Sequence, residues 1–131
     1  MILTRLSPLA ATLALCFLSA PSHAQAVRTE RNMSLELANQ IAAAGVAACA
    51  ANGYNVTTTV VDRAGTVRAV QRADNAGPHT VAASLGKAYT SASAKNATGA
   101  MLENVQKNPG AATLVDIPGF TVLGGGVPGN G

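Results

Sequence analysis

Among its 131 residues the chain carries few side chains that could do chemistry, and they cluster in one stretch. His79 combines a metal-ligating nitrogen with a pKa near neutrality, so it is the candidate metal ligand. Arg72 and Lys87 can each hold a carboxylate, Arg72 through a planar fork and Lys87 as a point charge. Lys87 and Asp74 could also act as an acid–base pair on a small acid that Arg72 clamps. Tyr54, Tyr89, Met33 and Met101 are weaker ligand types than His79. Each residue has a plainer reading. His79, just after Gly77-Pro78, also fits an ordinary surface histidine, and Arg72 could pair with Asp74 across a loop that Lys87 anchors. Asp62 reads as a turn residue that accepts backbone N–H bonds. Gly124 to Gly126 is not followed by Lys-Ser/Thr, so it is no phosphate-cradling P-loop. No H-E-x-x-H, paired-cysteine or G-x-S-x-G pattern occurs, which leaves zinc and nucleophilic catalysis without local support.

The length fits one domain. Only 11% of residues are charged and the net charge is +3, which argues against a nucleic-acid partner. Residues 1–24 read as a signal peptide. Arg5 opens it, Leu9 to Ala20 is an apolar run too short to span a membrane, and Ser22-His23-Ala24 offers a small-residue cleavage site. The expected location is therefore periplasmic or secreted, with no membrane contact after cleavage. Removal of the segment takes Cys16 and His23 with it, leaving Cys49 and His79 as the single residues of their types, so no internal disulfide is expected.

These side chains need elements to position them. Residues 25–33 read as a flexible lead-in to a domain over 34–131. Ser34 caps a helix running to about Ala51, on which Leu35, Ala38, Ala42, Val46 and Cys49 share a face. Asn55 to Asp62 and Thr66 to Arg72 read as the strands of an antiparallel hairpin turned at Asp62-Arg63-Ala64-Gly65. Neither strand face is strongly charged, so both should be covered. Helices are expected from Pro78 to Ser93 and from Thr98 to Lys107, with a short strand at Phe120 to Leu123. The result is an α/β (α+β) fold of order α-β-β-α-α-β, an antiparallel sheet flanked by helices.

Val60-Val61-Asp62-Arg63-Ala64-Gly65, Arg72-Ala73-Asp74, Gly86-Lys87-Ala88-Tyr89-Thr90 and Gly125-Gly126-Val127-Pro128 occur in that order. The series resembles the GlcG/HbpS-like family of small haem-binding, in some members haem-degrading, proteins, and spans nearly all of Ser34 to Pro128. The resemblance implies a profilin-like layered domain that assembles as a homo-oligomer. It implies haem as the cofactor, with a corrinoid as the alternative. It further implies His79 as axial metal ligand, Arg72 and Lys87 at the propionates, and Tyr89 in the cofactor site. The family pattern continues past G-G-x-P into a further strand and a closing helix. A C-terminally shortened domain is thus expected, either a fragment or one that completes its sheet against a partner. The expected function is an exported haem-binding protein that buffers, carries or senses haem. The alternatives are the Lys87/Asp74 small-acid enzyme and a non-catalytic interaction module.

Overall fold

A computed structural model describes residues 27–129; the expected signal peptide lies outside the described residues. Residues 27–30 form part of a separate unit, in which Arg28 pairs with Glu30. Everything that follows concerns the unit that starts at Arg31.

The first helix, α1, spans Leu35–Ala50. It starts where the cap residue dictates: Ser34 is extended, and its Oγ accepts the Leu37 N–H at 3.2 Å. Glu36 adds an acid in the first turn, where the helix dipole favours it. The chain leaves α1 through Gly53 at φ +79° and enters β1, Thr57–Val61. β-branched side chains fill that strand, which pairs antiparallel with β2, Val67–Arg72. Thr57 lies opposite Arg72 and Val60 opposite Ala69, with a bulge between Val60 and Val61.

The hairpin turn is built as its sequence implies. Asp62 N–H donates to the Thr66 carbonyl at 2.8 Å, and Gly65 N–H to the Asp62 carbonyl at 2.9 Å. The Asp62 carboxylate accepts the Ala64 and Thr66 N–H groups, both at 2.9 Å. Gly65 takes φ +78°, a region that strains any residue with a Cβ.

Helix α2 spans His79–Ala94, entered through Pro78, and α3 spans Thr98–Lys107. The two faces of the hairpin are both covered. On one, α1 sets its fully buried Ala38 and Ala42 against Val60 and Ala69, with Met33 at the margin. On the other, Thr57 meets Thr80 hydroxyl to hydroxyl at 2.7 Å, and Thr59 meets Ser84 at 2.6 Å. α2 lies chiefly over β1, so Val67 and Val70 of β2 stay 44% and 45% exposed.

The mixed α/β architecture and the order from α1 to α3 are those expected, with helix ends within one residue. Three expectations change. Among the described residues the sheet has two strands, and Phe120 to Leu123 is irregular. There the Phe120 N–H turns back to the Ile117 carbonyl at 3.0 Å, and the Thr121 N–H goes to the Thr90 hydroxyl at 2.7 Å. With that donor satisfied by a helix side chain, the segment runs along α2 instead of joining a ladder. Pro109–Asp116, expected as loop, winds into 3-10 turns. Leu35 is 55% exposed rather than on the buried stripe, and Cys49 is a half-buried free thiol.

Candidate functional site

Glycines bring the sequence motifs into contact, because each one accepts a neighbour where a methyl group could not fit. A Cβ on Gly65 would stand 2.7 Å from Cδ2 of Tyr89, so the hairpin turn and the Tyr89 ring touch directly. Phe120 meets that ring edge-on, with centroids 6.2 Å apart. A Cβ on Gly86 would meet Oγ1 of Thr121 at 2.2 Å, so α2 and the 119–121 segment are equally close. Farther along, Gly126 packs on the Lys87 carbonyl, where a Cβ would come within 2.4 Å. It is held there by Thr98: the Thr98 Oγ1 accepts the Gly126 N–H at 2.8 Å, and the Thr98 N–H donates to the Gly126 carbonyl at 3.0 Å.

Two recesses open around Tyr89. The larger, of about 460 Å³, is an open groove lined by Gly65, Val67, Ala82, Leu85, Gly86, Tyr89, Gly119 and Thr121. Its floor is the part of β2 that α2 leaves uncovered, and its walls are Leu85 and the Tyr89 ring. The smaller, of about 100 Å³, is lined by Arg63, Ala64, Gly65, Tyr89 and Ser93. Gly65 and Tyr89 border both, so the two lie side by side at the hairpin turn.

Of the four expected binding residues, Tyr89 lines this site and the other three lie elsewhere. His79 is exposed in the first turn of α2, and its ring folds back over Gly77, where a Cβ would meet Cε1 at 2.7 Å. Ten helical residues separate it from Tyr89, about 15 Å along the axis. Arg72 donates to the Ala76 carbonyl and so closes the loop at Ala73 to Ala76. The anticipated Arg72–Asp74 ion pair is absent among the described residues, because that carbonyl takes the guanidinium instead. Lys87 reaches toward the glycine turn, its Nζ 3.7 Å from where a Gly125 Cβ would lie, and no ion pair joins it to Asp74. Among the described residues no three His, Cys, Asp or Glu side chains gather to hold a metal ion. No helix among them is long and apolar enough to cross a membrane.

One carboxyl group is tuned by its surroundings. Asp62 is held below the usual carboxylate range, chiefly by the Thr66 N–H, with help from the Ala64 N–H, the Asn32 amide and the charge of Arg68. The cause is the turn itself, which supports a structural role for Asp62. Arg63 and Ser93 were not anticipated as site residues. Position 63 reads in sequence only as the second residue of a turn, and only the fold brings it beside a helix residue thirty positions away.

A helix-flanked antiparallel hairpin with an open groove beside Tyr89 makes this a small α/β domain. Comparison with known proteins narrows this. Residues 33–129 match the haem-degrading protein HbpS-like family. Protein GlcG of Escherichia coli strain K12 is 33% identical over 102 residues, which are 78% of this chain and 75% of that protein. A crystal structure of HbpS superposes with a TM-score of 0.76 at 31% identity, over 86% of this chain and 77% of that one. A double mutant of HbpS from Streptomyces reticuli gives 0.75 at 30% identity, over 98% and 78%. Klebsiella pneumoniae protein ORFY gives 0.64 at 28%, over 79% and 72%. The chain belongs to the HbpS-like family.

Proposed function

We propose that the protein is exported, forms a homo-oligomer, and binds haem in the groove beside Tyr89, so as to buffer, carry or sense it. The groove supports this reading most directly. Its volume of about 460 Å³ falls within the range that small-molecule sites occupy, and Val67, Ala82, Leu85 and the Tyr89 ring give it apolar walls. The residues present fit a flat porphyrin: aliphatic side chains can lie against its faces, and the Tyr89 phenol is an iron-ligand type. When bound, haem would supply iron-centred ligand and redox chemistry. Val67 and Leu85 would exclude water from the ring, and Gly65 and Gly86 keep the groove open where larger residues would close it. His79 is the second ligand candidate, and its distance from Tyr89 means that one haem cannot take both.

Haemin titration followed in the Soret region tests the reading. A red-shifted band is expected with the wild-type protein. Tyr89→Phe should displace that band and weaken binding about tenfold, while His79→Ala leaves it in place. The reverse pattern would move the site to the start of α2. A spectrum equal to that of free haemin would remove haem binding altogether.

A further inference from the structure

The small recess at the end of the groove holds donors and no acid. Arg63, Tyr89 and Ser93 line it, and none of their side chains takes part in a hydrogen bond or ion pair among the described residues. The nearest carboxylate, Asp62, is already committed to the Ala64 and Thr66 N–H groups of the turn. The residues that line this volume of about 100 Å³ bring a guanidinium and two hydroxyls, donor types that a carboxylate accepts from. The recess shares Gly65 and Tyr89 with the apolar groove, so an acid seated there would leave its attached apolar body against Val67 and Leu85.

We infer that this recess is an acid-anchoring subsite, and that the groove and recess together select a flat, apolar molecule bearing a carboxylate at its edge, with Arg63 as the specificity-determining residue. The inference rests on the groove as the ligand's seat, but not on iron ligation. It differs from the expectation that Arg72 and Lys87 meet the acid groups: Arg72 is bonded to the Ala76 carbonyl, and Lys87 points toward the glycine turn.

Iron-free protoporphyrin IX and its dimethyl ester separate the two ideas, because neither can be held by an axial ligand. Their binding to the wild-type protein and to Arg63→Gln is measured by porphyrin fluorescence. The free acid should bind on the order of tenfold more tightly than the ester. That preference should fall toward parity in Arg63→Gln, while ester affinity is unchanged. Arg63 is an exposed turn residue, so the variant should fold, and circular dichroism checks this. Equal affinities for acid and ester, or a preference untouched by Arg63→Gln, would overturn the subsite. Porphyrin failing to bind while haemin keeps its shifted band would also overturn it, and would leave haem binding standing. Acid preference without any haemin band shift would uphold the subsite and refute haem ligation.

Discussion

On the α1 side of the hairpin, Ala38 and Ala42 are fully buried against Val60 and Ala69 in an apolar cluster. On the α2 side, Thr57 and Thr59 face Thr80 and Ser84 through hydroxyl pairs of 2.7 and 2.6 Å. The first face is held by close approach. Alanines let helix and sheet come near, and Gly45 does the same over Thr58, whose Oγ1 would lie 2.7 Å from an added Cβ. Such a face is insensitive to small rotations but intolerant of added volume. The second face is held by directional bonds, which fix where α2 sits along and across β1. Because those bonds are all to β1, α2 is set to one side. The exposed part of β2 becomes the floor of the groove. The apolar site is therefore a consequence of the polar interface.

The sharpest break of this contrast is added volume on the alanine face. Ala42→Leu should cost about 3 kcal/mol in urea unfolding, while Ile41→Ala on the same helix, where the side chain is 41% exposed, should cost well under about 1 kcal/mol. Similar costs at the two positions would mean that the α1 face is not close-packed.

The hydroxyl face should respond less and in pairs. Thr59→Val and Ser84→Ala are each expected to cost about 1 kcal/mol, with a double-mutant coupling of similar size, since either change leaves the other hydroxyl short of a partner. Ser84 retains a bond to the Val81 carbonyl at 3.1 Å, which softens its loss. Strictly additive effects would deny that this pair locates α2.

The smallest effect belongs to the turn that joins the faces. Asp62 is depressed in the folded state, so its contribution is fully present above the ordinary carboxylate pKa of about 4 and is lost as pH falls through the lower, folded value. Thermal melts of the wild-type protein should thus drop more steeply below about pH 4 than those of Asp62→Asn. Parallel pH profiles would remove Asp62 from the turn's energetics.

Much of this was readable from residue types alone. Ser34 and Glu36 announced α1, the β-branched run and Asp62-x-x-Gly65 announced the hairpin, and the uncharged strand faces announced two covering layers. Tyr89, singled out through the motif that carries it, lines the groove. The missed features depend on pairings that residue types do not mark. Thr121 looked like part of a strand because local pattern cannot show that its N–H is claimed by Thr90, 31 residues earlier. Arg72 looked free for a ligand because the Ala76 carbonyl that takes it is a backbone group with no sequence signature.

The sequence by itself determined the helices, the turn and the family, because caps, periodicity and glycine positions act over a few residues and leave local marks. Only the tertiary structure decided where a ligand can sit. The offset of α2 over β1 and the meeting of Gly65 with Tyr89 arise from contacts between segments far apart in the chain. Such contacts depend on distances in space, which no local pattern encodes.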